Sequence, residues 1–272
     1  MKIILSRKGF DSSYGGCPSP VLPDGTMLSM PIPSDNELSF DSIKYKDKTY
    51  LEILKQLKPK RKDWDTLGCH LDPDLRGDIR KEVCVDWKPA FGQIGASQTH
   101  LENQNVKAGD LFLFFGWFRN TVYRGKDTLK YDSNCTDKHM LFGYLQIGEI
   151  IQGNNTKKYY WHPHSGGEYA NSNNTIYVAS KELVINGNNT NLPGAGTLKY
   201  SDSLVLTKNG YSRSRWNLPD FFKTTSISYH NEKSFKEDYF QSVAIGQEFV
   251  VSESEMVTEW AYNLIKNHVQ YK

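Results

Sequence analysis

The chain has 272 residues with 33 basic and 31 acidic side chains, so its net charge is +2 and bulk attraction to nucleic acid is excluded as the main source of affinity. Aromatics make up 13% (16 Tyr, 13 Phe, 6 Trp), which excludes a disordered chain despite a mean hydropathy of −0.60 and favours strands. No apolar run reaches the length of a bilayer span, no signal-like segment opens the chain, and the four cysteines (Cys17, Cys69, Cys84, Cys135) form no C-x-x-C pair. The expectation is a reduced, cytoplasmic protein with free thiols and no membrane contact.

Taken in chain order, a short apolar strand at Lys2–Leu5 runs into the polar loop SRKGFDSSYGG. A Pro/Gly-punctuated stretch follows, in which prolines favour extended chain and turns. Residues 48–58 place Tyr50, Ile53, Leu54 and Leu57 at helical spacing before Pro59 stops them. The basic run KPKRK comes next, and residues 92–106 predict a second helix. Leu111–Phe118 is a continuous apolar run suited to a strand buried on both faces. Further strands are expected at 139–150, 175–180, 203–207 and 247–251. The last segment predicts a helix, with Ser252 and Glu255 as a capping box and Met256, Val257, Trp260, Ala261, Leu264 and Ile265 on one stripe.

These elements predict an α+β fold: a β-rich barrel or strongly bent mixed sheet with flanking helices and a C-terminal helix. No linker is visible, so a single domain over 1–272 is expected. Its core spans roughly 100–251, with an N-terminal elaboration over 1–99 and a terminal helix over 252–270.

Several stretches carry candidate chemistry. In SRKGFDSSYGG, backbone amides of glycine-containing turns can form an anion cradle, with Ser6, Arg7 and Lys8 as phosphate ligands and Asp11 as a base. The order of lysine and glycines is not that of a Walker loop. In GCHLDPDL, His70 and Asp72 are two apart on extended chain and project to the same side. With one distant histidine from among His100, His139, His162 and His164, they compose a two-His, one-carboxylate set suited to Fe(II) or another divalent metal. Acid–base work by His70 or Asp72, or a turn-and-cap role, are the competing readings.

On the predicted 92–106 helix, Gln93, Ser97, His100 and Gln104 share a polar stripe that is either a site wall or a solvated face. His162 and His164 flank a proline in WHPHSGG as a second possible metal or phosphate pair. Arg213 and Trp216 in GYSRSRW, and Trp117 and Arg119 in FGWFR, pair positive charge with a stacking surface suited to a base, or to cation–π packing alone.

The stretch VKAGDLFLFFGWFR…HMLFGYLQIGEI resembles the signature of PUA-like barrels, the group that includes ASCH and EVE domains, with Gly109-Asp110 and Gly148-Glu149-Ile150 in the matching places. That resemblance implies a barrel that binds RNA or modified bases. Over the longer span, LSRKGFDSSYGGCPSPVLPDG, LGCHLDPDL, FGQIGASQTHL, AGDLFLFFGWFR, HPHSG and LTKNGYSRSRW occur in an order similar to that of the nucleotide modification associated domain 3 family. This second resemblance implies a part in phage or bacterial DNA modification. The expected function is a base-modifying enzyme that grips phosphate and base, with nucleotide or nucleic acid as partner and DNA ahead of RNA. The alternatives are a PUA-like reader of modified bases and a non-catalytic subunit of a modification or defence complex.

Overall fold

The computed structural model describes residues 1–82, 84–166, 169, 172–244 and 246–270, apart from the side chains of residues 36 and 37. Its centre is a mixed nine-stranded sheet. The first strand, β1 (Ile3–Arg7), is followed by β2 (Ser19–Val21), and β3 (Ile32–Ser39) starts a hairpin-like pair outside the main sheet. Helix α1 (Tyr50–Leu57) precedes β4 (Gly68–His70), the antiparallel partner of β3. Then come β5 (Ala90–Gln93), α2 (Gly95–Asn103), the long β6 (Leu111–Arg124), β7 (Thr128–Tyr131) and β8 (Lys138–Gln152). The chain continues through β9 (Thr175–Ala179), β10 (Ala195–Thr197) and β11 (Glu248–Val251) to α3 (Glu255–His268).

The backbone ladder runs β11-β1-β6-β8-β9-β5, with β1 parallel to β6 and its other neighbours antiparallel. The apolar run at the start of β6 explains its central place, since Leu111 to Phe115 are fully buried against β1 on one edge and β8 on the other. Asp110 locks the entry to this strand. Its Oδ1 accepts from the Lys2 backbone N (2.8 Å) and its Oδ2 from Lys107 N (3.0 Å), while Gly109 takes φ +91° in the turn.

The expected barrel does not close. Among the described residues β5 and β11 end the ladder without a backbone pairing between them. They approach through side chains, Gln93 Nε2 donating to Glu248 Oε1 at 2.7 Å, so the sheet is strongly bent and open. It also draws β1, β2 and β5 from the first hundred residues.

Three further differences have local causes. Gly92 and Gln93 end a strand paired with β9 instead of starting the second helix, which begins at Gly95, because Ala90 and Phe91 before them are fully buried in that ladder. Residues 203–207 form a short 3₁₀ turn and isolated bridges in place of a strand, with Val205 N bonded locally to Asp202 O. Ser254 caps α3, since Ser252 Oγ accepts from Ser226 N. Helix α1 carries the full capping box, Thr49 with Glu52.

Two large apolar cores result, with a small third cluster of Ala90, Ile151, Tyr159, Ile176 and Val178. The sheet packs with Val257, Ala261, Leu264 and Ile265 of α3. A second cluster joins α1 to Phe10, Phe40 and Trp64, with the Phe10 and Trp64 rings stacked at 5.8 Å. No helix among the described residues is long and apolar enough to cross a membrane.

Candidate functional site

A cleft of about 660 Å³ opens where the β3–β4 pair faces the ends of β1 and β5. Its walls include Arg7, Lys8 and Asp11 from the first loop, His70 and Asp72 from β4 and the turn after it, Gly92 and Gln93 from β5, and His164. The volume suits a nucleotide-sized ligand. A second cleft, about 890 Å³, lies beyond His162, but two of its cations are already matched: Lys81 pairs with Asp41 and Arg80 with Asp74.

Asp72 is held by the Gly92 backbone N–H, which donates to Oδ1 at 2.8 Å. His164 comes from the 3₁₀ turn Pro163–Ser165, where the His162 ring caps the turn by accepting from His164 N at 3.2 Å. One ligand atom from each of His70, Asp72 and His164 lies within 4.8 Å of the others. The His70 and His164 rings meet edge to face at 5.1 Å, and Tyr169 stacks on His164 at 5.1 Å. Burial lowers the pKa of all three histidines, His70 and His162 to about 4, so each is neutral near pH 7. Gly92 is required by this packing: a Cβ there would lie 2.3 Å from His164 Cδ2 and 2.9 Å from His162 Cε1.

The cations of the first loop are only partly available. Lys8 Nζ pairs with Glu248 Oε1 at 2.8 Å and sits 4.4 Å from the Phe91 ring centre. Arg7 Nη2 donates to the carbonyls of Ala244 and Gly246 at 2.8 and 2.7 Å, and burial lowers its pKa. Asp11 Oδ1 accepts from Ser13 N and Tyr14 N, so this carboxylate shapes the turn at the mouth of the cleft. Arg213 Nη2 donates to Ser12 Oγ at 2.8 Å, and its guanidinium lies 4.0 Å above the Trp117 ring centre. The first loop and the late arginine therefore do meet, with Trp117 as the stacking partner.

Other candidates lie elsewhere. Trp216 is fully buried and donates through Nε1 to His139 Nδ1 (3.1 Å), packed against Phe115; it is a core residue and offers no face to a base. The same bond places His139 in the core, away from any ligand set. Ser6 is fully buried within β1, where β6 and β11 pair on either side, has no side-chain hydrogen bond and does not line the cleft. His100 bonds Ser228 Oγ at 3.0 Å and packs at a tilt against Tyr229, ring centres 4.3 Å apart, outside the cleft lining; Gln93 belongs to β5, so the polar stripe does not form. Arg119 contacts Asp132 O and Asp137 instead of the cleft.

Glu248 was not singled out by the sequence. It is 1% exposed, balances Lys8 and receives Gln93, and its Oε2 is buried without a hydrogen-bond partner. A carboxylate in the otherwise apolar run EFVV is a detectable signal, because an ionised group is rarely buried unpaired. Asn174 was also missed; it bonds His164 at both the ring and the carbonyl.

These features define an α+β protein with a cation-flanked, histidine- and carboxylate-lined cleft at the open edge of a bent mixed sheet. The chain belongs to the nucleotide modification associated domain 3 family, whose sequence pattern matches residues 2–252. That family name implies involvement in nucleotide modification. No curated protein and no solved structure matches the chain.

Proposed function

We propose that the protein is an enzyme of nucleotide or nucleic-acid base modification, in a phage or bacterial DNA-modification pathway, and that the cleft between β4 and β5 is its active site. One observation carries the reading: Lys8, Asp11, His70, Asp72 and His164, from segments far apart in the chain, line one nucleotide-sized cleft. Simple capture of a base needs fewer titratable groups than this. Arg7 and Lys8 form the cationic side of the cleft that receives phosphate, and Arg213, bonded to Ser12 of the first loop and stacked on the half-buried Trp117, extends the positive surface beyond the cleft lining. His70 and Asp72, with His164 beside them, are the groups placed to act at the reacting base.

The test is mass spectrometry of nucleosides from DNA, RNA and the free nucleotide pool of cells expressing the protein. An altered nucleoside is expected with the wild type and absent with Asp72→Asn, a change that keeps an acceptor for Gly92 N. Unaltered pools in all three fractions, at verified expression of folded protein, overturn the enzyme reading. The Arg213–Trp117 pair, held to Ser12 of the first loop outside the cleft lining, favours a second reading, a reader of modified bases. That reading requires binding to modified DNA that survives Asp72→Asn and is lost with Trp117→Ala.

A further inference from the structure

We propose that His70, Asp72 and His164 bind one first-row divalent transition-metal ion, and that His162 and Asn174 act as positioning residues for this set. The inference deepens the proposed function, since it concerns the same cleft, but its test is independent of any modified base.

The distances are those of a set that needs small side-chain rotations to close. Two ligands held about 2.1 Å from an ion are at most about 4.2 Å apart, and the three ligand atoms here lie within 4.8 Å of one another. The donors are two imidazoles and one carboxylate, a combination that suits iron(II), cobalt(II), manganese(II) or zinc(II) better than the oxygen-only preference of magnesium or calcium. All three side chains line the cleft, so the ion would keep open positions toward whatever enters beside Arg7 and Lys8.

Support behind the ligands strengthens the assignment. Asn174 Nδ2 donates to the His164 carbonyl at 2.7 Å, which orients the amide and presents Oδ1 to His164 Nδ1, also at 2.7 Å. An amide oxygen accepts, so Nδ1 carries the proton and the lone pair of His164 is on Nε2, where a metal takes it. Asp72 Oδ1 is engaged by Gly92 N–H, leaving Oδ2 for the ion.

His162 is the independent clue. Its Nδ1 accepts from His164 N, which puts its proton on Nε2. That Nε2 is buried without a hydrogen bond, yet lies 3.3 Å from Asp72 Oδ1. A buried donor held this close to a carboxylate, but misaligned, is suited to completing its bond when Asp72 swings onto an ion.

The experiment uses the full chain, stripped with a chelator and titrated anaerobically with Fe(II), and separately with Co(II), Mn(II) and Zn(II). Uptake is read by elemental analysis after gel filtration, and for Co(II) by its visible absorption. About one ion per chain is expected. Asp72→Asn and His164→Gln should each weaken Co(II) binding by more than about 100-fold, and Asn174→Ala by about 10- to 100-fold. His268→Ala, whose ring bonds Ser203 at the surface, should bind as the wild type does.

Circular dichroism checks that each variant is folded. Should a variant fail to fold, the wild type decides: its Co(II) form should give a hyperfine-shifted, exchangeable N–H resonance from His164 Nδ1, and absence of that resonance overturns the site. The proposal is also overturned if the folded wild type retains none of the four ions, or if folded Asp72→Asn and His164→Gln bind as tightly as wild type. Altered nucleosides made by a chain that takes up no ion would remove the metal and keep the function. Stoichiometric uptake with unaltered nucleosides would do the reverse.

Discussion

Gly92→Ala is the sharpest single test of how the cleft is built. The added Cβ would stand 2.3 Å from His164 Cδ2 and 2.4 Å from its Cγ. Carbon atoms pack at about 3.5–4.0 Å, so the ring must retreat by roughly 1.2 Å. The Nδ1–Asn174 bond is 2.7 Å, and a retreat of that size either breaks it or drags Asn174 with the ring. His162 closes the other side, with its Cε1 at 2.9 Å from the same Cβ. Overpacking of this kind costs about 1–3 kcal/mol, and a misplacement near 1 Å lowers turnover by about 100-fold. Urea unfolding followed by tryptophan fluorescence reads the first quantity, and nucleoside profiling reads the second. A Gly92→Ala protein within about 0.5 kcal/mol of wild type, with an unchanged nucleoside profile, would refute the claim that close backbone approach at residue 92 sets the histidine positions.

Further expectations test other parts of the molecule. Asp74 is fully buried and takes both Arg80 nitrogens (3.0 and 2.6 Å) and Trp87 Nε1 (2.9 Å). Asp74→Ala should therefore cost about 3–5 kcal/mol in denaturant unfolding, while Asp74→Leu combined with Arg80→Met should recover most of the loss. Trp216→Ala should cost about 3–5 kcal/mol as a core truncation. Arg213→Ala should leave stability within about 0.5 kcal/mol and weaken binding of a short oligonucleotide by about 10-fold; loss of binding with Trp216→Ala at full stability would contradict the core placement. Burial depresses the pKa of His139 to about 3. The unfolded chain then binds the extra proton between about pH 6.5 and 3, so this contribution to stability is complete above about pH 6.5 and shrinks as pH falls, by about 1.4 kcal/mol per unit. His139→Gln, which keeps an acceptor for Trp216, should flatten that slope, and an unchanged slope in urea midpoints across pH 4–6.5 would count against the assignment.

The local signals in the sequence were strong wherever a segment could satisfy itself. The helical spacing of Tyr50, Ile53, Leu54 and Leu57 with Pro59 behind it, and the apolar run opening at Leu111, specify their own structures, because periodicity and burial act within a few residues. His70 and Asp72 were readable as a pair from their spacing, although a tight turn joins them in place of the expected extended chain, Asp72 N donating to His70 O at 2.9 Å. Local pattern misled where a distant partner intervened. Gln93 shares a helix-compatible polar spacing with Ser97, His100 and Gln104, but the β9 edge captures its backbone, and Trp216 carries a nucleic-acid-like context while Phe115 and His139 enclose it.

The sequence by itself determined the α+β class, the buried central strand, the family, and the existence of a polar first loop and an H-x-D pair. Tertiary structure alone decided that the sheet stays open, that His164 joins His70 and Asp72 while His100 and His139 do not, and that Glu248 neutralises Lys8. The physical reason is separation along the chain. Which of several equivalent histidines reaches a carboxylate about ninety residues away depends on strand order and on a glycine that lets two backbones approach, and neither is encoded in the spacing around the histidine itself.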